Sequence, residues 1–402
     1  MSTNIQKNQI TEGIIWRQLL LFFFPILLGT FFQQLYNTID SVIVGQFVGK
    51  EALAAVGGSS AQIVAFVVGF FTGLSSGASV TIAQFFGAKD SRSANKGLHT
   101  AYAIAAFGGL ILTVSGIILT PFLLEMMNTP ADIVADSAVY LRIYFAGIIF
   151  VLIYNMGSAI LRATGDSKRP LYYLIVCCII NIVLDVLFVI VFHMGVMGVA
   201  VATLIAQAVS AVLVTLKLMR SEGILKLSVK QVRFHGSILK MQLKLGLPTG
   251  FEAILFSITN IAIQSAVNTF GTDTTAAWSA YGKLDAIFWM VSTAFGIAIT
   301  TFVGQNYGAG KMDRVRKSTR VCLLMDFIVS AVLVVFLIAA RFLLFRLFTN
   351  DSHVIEIGCD MLVLITPWYI VYVFIEVIAG ALRGVGNVVV PVAITLLGVC
   401  VL

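Results

Sequence analysis

Apolar runs long enough to cross a bilayer recur along the chain, at residues 16–45, 53–86, 98–123, 137–161, 170–192, 194–219, 246–268, 276–304, 318–346 and 358–382. A span needs about 20 predominantly apolar residues, and each run meets that need. The pattern therefore predicts ten membrane-crossing helices joined by mostly short connections. An eleventh run starts at Pro391 and has reached 12 residues at Leu402. The first thirteen residues are mostly polar, and the stretch from Ile14 to Val48 is far longer than a signal-peptide core. It reads as an uncleaved first span.

Composition agrees. Hydrophobic residues make up 59% of the 402 and charged residues 11%, against ~45–50% and ~25% in soluble domains. So few charges cannot cover a water-facing surface, which excludes a soluble globule, disorder, coiled coil and collagen. The formal charge of +7 would suit nucleic acid, but its distribution gives a plainer reason. Of the 26 Lys and Arg, 21 fall on one side if the N-terminus is cytoplasmic, seven of them between Lys217 and Lys244. That bias predicts a multi-pass protein of the plasma membrane with its N-terminus inside and no nucleic-acid partner. Cys177, Cys178, Cys322, Cys359 and Cys400 lie in apolar stretches without metal-ligand spacing, and read as buried thiols. The longest loop, 219–245, is too short for a nucleotide-binding domain, and no G-x-x-x-x-G-K-[ST] or H-E-x-x-H pattern occurs. Both absences argue against ATP-driven transport within this chain and against zinc-dependent catalysis.

The halves repeat. Pro25 and Asn37 recur as Pro248 and Asn260, 223 residues on; Gly49, Ala54 and Ala55 as Gly271, Ala276 and Ala277, 222 on. Gln84, Gly87, Ala88 and Lys96 recur as Gln305, Gly308, Ala309 and Lys317, and Leu161, Arg162, Gly165 and Pro170 as Leu382, Arg383, Gly386 and Pro391, 221 on. Six spans per copy is an even number, so the copies are parallel. The expected fold is an all-α polytopic membrane protein of two six-helix bundles. Residues 1–218 form an N-lobe with spans 1–6, 219–245 a cytoplasmic basic linker, and 246–402 a C-lobe with spans 7–10 and the start of span 11. By the same arithmetic the second bundle is expected to continue to about residue 441 (220 + 221) and to be truncated here.

These residues resemble the multidrug and toxic compound extrusion (MATE) family of cation-coupled exporters. The resemblance rests on Pro25-x14-Asp40 in span 1, the Gln-x-x-Gly-Ala turns after spans 2 and 8, the Leu-Arg-x-x-Gly turns after spans 4 and 10, and Asn181-x-x-x-Asp185 in span 5. It implies two bundles enclosing a cavity that opens alternately to each side, and export of amphipathic, often cationic compounds in exchange for H+ or Na+.

Ionisable groups at membrane depth are costly and functional by default. Asp40 lies well inside span 1, and Gln33, Asn37 and Asp40 suggest a polar stripe on one face. Asn181 and Asp185 stack at i, i+4. With Asp40 they make a hard-oxygen site for Na+, or one that holds a proton. The resemblance adds Thr203 of span 6 and Tyr140 of span 4. In the C-lobe, Glu252, Asp285 and Glu376 are candidate cavity residues, with Lys283 a possible ion-pair partner of Asp285. Tyr372 stands where many bacterial relatives carry an aspartate. Asp40 maps by the repeat to Ile263, Glu252 to Gly29, Asp285 to Ile63 and Glu376 to Asn155, so acid chemistry is specific to each lobe while the scaffold is shared. Asp326, near the inner end of span 9, reads as structural. Gly69-x-x-x-Gly73-x-x-x-Gly77 reads as a close-packing face, and Phe22, Phe23 and Phe24 as lipid or helix contacts. His99, His193, His235 and His353 receive no role.

The expected function is a secondary antiporter, monomeric, without catalytic residues and with no cofactor beyond its coupling ion. A flippase for lipid-linked saccharides and a non-transporting membrane scaffold are the alternatives. The acidic character of the in-membrane charges disfavours the first, and the unduplicated acids the second.

Overall fold

The computed structural model describes residues 9–397; Lys7, Cys400 and the end of the eleventh run lie outside the described residues. All regular structure among them is helical. Ten helices are long and apolar enough to span: α1 Ile15–Phe47, α2 Lys50–Gly87, α3 Ser91–Met126, α4 Val134–Ala163, α5 Lys168–Val191, α6 Gly195–Met219, α7 Gly236–Asn268, α8 Thr272–Gly308, α9 Met312–Ala339 and α10 Ser352–Val385. A short α11, Val389–Leu396, begins the eleventh run.

The Leu-Arg-x-x-Gly turns have a plain physical origin. Gly165 and Gly386 adopt φ of 97° and 92°, which an L side chain resists. In each turn the glycine N–H donates to the arginine carbonyl at 2.9 Å, and the next N–H reaches back to the leucine carbonyl, also at 2.9 Å. Both helices thus end by satisfying their last carbonyls.

The chain packs into two compact units whose borders fall inside helices. One runs Leu28–Ile254; the other joins the chain up to Leu27 with the chain from Leu255. In the first, α4 is the central helix. Ile148, Leu152, Met156 and Ile160 meet Leu98 and Tyr102 of α3, Ala78 and Ile82 of α2, and Val214 and Leu218 of α6. The N-terminal half of α7 belongs here too, because Gly73 and Gly77 lie so close to Gly250 and Gly246 that a Cβ on either would strike backbone. The basic segment 219–245 is fastened to the same unit. Ser228 N–H donates to His99 Nε2 at 3.0 Å, and His99 Nδ1 donates to the Asn95 carbonyl at 2.8 Å. The Thr100 hydroxyl sits 3.1 Å from His235 Nδ1.

In the second unit α8 is central. Phe23 stacks on Phe295 with ring centroids 4.1 Å apart. Arg314 and Lys311 donate to the carbonyls of Ile10, Gly13 and Thr11, tying the entry to α1 into this unit. Helix α9 starts at Met312, six residues before the expected span, because its charged first turns are helical although hydropathy excludes them. Asp326 stands at mid-helix, about 20 Å from either end at 1.5 Å per residue, six residues beyond the last basic residue of those turns, Arg320.

Candidate ion-coupling site

Four helices of the Leu28–Ile254 unit bring the expected site residues together. Asp185 is the last α-helical residue of α5 before a π-helical stretch, Val186–Val191, a local widening often found where a helix carries function. It is fully buried, as are Asn181 one turn earlier and, nearly so, Asp40 of α1 and Thr203 of α6. Asn181 Nδ2 donates to Thr203 Oγ1 at 3.5 Å. Asp40 neighbours both Thr203 and Asp185. Half-buried Tyr140 of α4 lies within electrostatic range of both carboxyls.

The donors do not suffice. Both Asp185 oxygens, one Asp40 oxygen and the Asn181 carbonyl are buried without a hydrogen bond among the described residues. Buried oxygens are ordinarily paired, and a buried charge without compensation is costly. Four acceptor oxygens on two adjacent acids and an amide form a set that a hard monovalent cation or a proton would satisfy.

The surroundings of the site were not legible as a group. One turn beyond each polar residue, in the same direction, the helices turn apolar: Ile43 and Val44 after Asp40, Val189 after Asp185, and Val199 and Val196 before Thr203 pack into one cluster with Tyr140. One turn the other way the helices stay polar. Tyr36 precedes Asp40, Gln207 follows Thr203, and Gln207 Nε2 donates to the Tyr36 hydroxyl at 3.3 Å. The site is a polar pocket closed at one end by aliphatic side chains. Of the expected stripe, Gln33 and Asn37 are exposed, while Tyr36, one turn before Asp40, is buried with it.

The remaining acids are divided between the two units. Glu252 is buried in the same unit as Asp40. Asp285 and Glu376 belong to the other unit, where each has its own partners. Asp285 accepts from Trp289 Nε1 at 2.8 Å and from the Tyr369 hydroxyl, while Lys283 is exposed. Glu376 pairs with Arg383 at 2.8 Å and accepts from Tyr372 at 3.3 Å. Trp289 and Tyr372 meet edge-on, centroids 4.7 Å apart, linking the two acids through their rings.

The family model described as MatE matches residues 25–187 and 248–402. The chain belongs to the MatE family. Among curated relatives, it is 30% identical over 393 residues to the probable multidrug resistance protein YoeA of Bacillus subtilis, covering 96% of this chain and 84% of that one. It is 28% identical over 407 residues to the probable multidrug resistance protein NorM of Thermotoga maritima, covering 98% and 85%. An outward-facing multidrug resistance MATE family transporter of the MOP superfamily superposes with a TM-score of 0.92 at 22% identity, covering 100% of this chain and 89% of that one. A MOP superfamily transporter from Pyrococcus furiosus superposes at 0.89. At such identity these two establish the fold of this MatE chain, a multi-pass membrane protein.

One enzyme-like spacing in this MatE sequence is resolved by the fold. Gly73-Leu74-Ser75-Ser76-Gly77 matches G-x-S-x-G, which marks a nucleophile only at a strand-to-helix turn. Here it lies inside α2, and the Ser75 hydroxyl donates to the Phe71 carbonyl at 2.8 Å.

Proposed function

We propose that this chain is a secondary active antiporter that exports amphipathic, often cationic compounds in exchange for H+ or Na+. Asp40 and Asp185 are the ion-binding carboxyls, Asn181 and Thr203 the neutral oxygens beside them, and Tyr140 the fourth-helix wall. The observation that carries this reading is the group of unsatisfied oxygens on Asp40, Asp185 and Asn181, buried behind an aliphatic plug. The multidrug names of relatives matched over most of their length support the cargo class.

The ion binds where its affinity differs between conformations, and that difference is the work it delivers. A bound H+ or Na+ offsets one of the two carboxylate charges; its release restores the full repulsion between them and favours the conformation that admits another ion. Cargo export follows from the same alternation of access. The N-terminus and the 219–245 segment lie in the cytoplasm, as the 21 basic residues on that side support. Ethidium uptake into everted vesicles under an imposed pH or Na+ gradient tests the proposal and names the ion: uptake driven by one gradient supports it, and uptake indifferent to both contradicts it.

A further inference from the structure

The Leu255–Leu402 part of the chain holds a second set of buried charges, on α9 and α10. Asp326 is fully buried. Its Oδ1 accepts from the Ser330 hydroxyl at 3.1 Å, and its Oδ2 has no partner among the described residues. From α10, Glu376 lies within electrostatic range of Asp326. The Arg383 guanidinium, seven residues along the same helix, is committed to Glu376 Oε1 at 2.8 Å, with both side chains largely covered. From α8, Asp285 accepts from Trp289, whose ring meets Tyr372, the residue that donates to Glu376. Gly296 of α8 removes the Cβ that would occupy the place of the Glu376 carboxyl, so that carboxyl lies directly against helix backbone. On α9 itself the other titratable neighbour is the Cys322 thiol, one turn before Asp326.

The charges do not balance. Among these three groups, two carboxyls and one guanidinium leave one negative charge, and the 2.8 Å ion pair of the guanidinium is with Glu376. An ionised Asp326 would stand at mid-helix with a bare oxygen, facing a second carboxylate. One proton on Oδ2 removes both faults: it cancels the excess charge and turns the orphan acceptor into a donor. Nothing in the repeat requires this arrangement. The counterparts of Asp326 and Glu376 in the first half are Ala105 and Asn155, while Arg383 keeps its counterpart in Arg162. The acids are specific to this half of the repeat.

We propose that Asp326, Glu376 and Arg383 form a proton-binding site in α9 and α10, with Asp326 holding the proton and the Glu376–Arg383 pair setting the field in which it is held. The step is simple acid–base chemistry: an O–H bond forms at Asp326 Oδ2 with a proton taken from water, and breaks to return it. The site is built from residues other than those of the Asp40–Asp185 pocket and does not depend on the coupling role assigned there.

The test is pH-difference infrared spectroscopy on the full-length protein in lipid nanodiscs, reading the carbonyl stretch of protonated carboxyl groups. Asp326→Asn should remove a component equal to one carboxyl per protein, and Asp40→Asn should leave that component in place. A wild-type spectrum from Asp326→Asn overturns the proposal, as does loss of the component in Asp40→Asn. Displacement of the component by Na+ at constant pH also overturns it, since the site would then take a metal cation. Should Asp326→Asn fail to insert, Glu376→Gln decides: the component should titrate over a different pH range, and an unchanged range contradicts the assignment.

Discussion

Asn181 spends its amide N–H on the Thr203 hydroxyl, 3.5 Å away, and leaves its carbonyl oxygen unpartnered one helical turn from Asp185. The direction matters. Thr203 fixes which end of the amide faces the pocket, so the acceptor is presented beside the acids and the donor is turned away. A graded series should follow. Asn181→Ala removes an oxygen and should weaken gradient-driven efflux most among the neutral positions. Thr203→Val removes only the orienting hydroxyl, worth about 0.5–1.5 kcal/mol as a hydrogen bond, and should cost less, as should Tyr140→Phe. Initial efflux rates at matched expression check the order.

The close approach of α2 and α7 inside one unit makes a stability prediction. A side chain at Gly77 would meet the backbone of Gly246 and the Gln242 carbonyl, which cannot move aside as a rotamer can. Gly77→Val should cost at least the ~1–3 kcal/mol typical of overpacking and lower the thermal unfolding midpoint. Gly57→Val, at a site with open space around it, should leave the midpoint near wild type apart from helix propensity.

The strap across 226–235 carries a pH prediction. Burial, then the positive charges of Arg233 and Lys96, hold the His235 imidazole below the ordinary histidine range. The folded form then binds a proton less readily than the unfolded one, so the strap is secure above about pH 6.5 and loosens as pH falls through the lowered value. Hydrogen exchange of residues 226–235, corrected for intrinsic rates, should speed up on acidification, and His235→Asn should flatten that response.

The ten spans were legible because hydropathy is a local property of the chain. Asp40, Asn181 and Asp185 stood out for the same reason, as polar groups where almost none are affordable. What surrounds them was not legible. Tyr36 and Gln207 are unremarkable in sequence, and the plug of Val44, Val189 and Val199 is drawn from three helices whose neighbours hydropathy does not specify. The start of α9 was set too late because a hydropathy window stops at charged turns through which a helix continues. That α1 and α7 are each shared between compact units follows from contacts such as Gly77 with Gly246, which no single-segment pattern encodes.

Topology can be read at an exposed position. Ser221, at the start of the 219–245 segment, is buried with its hydroxyl on the Lys217 carbonyl, so Lys230, which is exposed, is the better probe. In a background lacking other reactive thiols, Lys230→Cys should resist an impermeant thiol reagent in intact cells and react in everted vesicles. Labelling from outside intact cells would reverse the assigned orientation.

The central claim is that Asp40 and Asp185 share one ion-coupling pocket. Its most direct measurement is gradient-driven ethidium transport in everted vesicles carrying Asp40→Asn or Asp185→Asn, at equal membrane expression. Replacing either carboxylate removes a charge the coupling ion needs, and a loss of ~1.4 kcal/mol or more of ion affinity is roughly tenfold or more in transport below saturation. Both variants should therefore lose transport to about that extent or completely, while Glu252→Gln should be milder. Wild-type transport in either Asp→Asn variant would contradict the account.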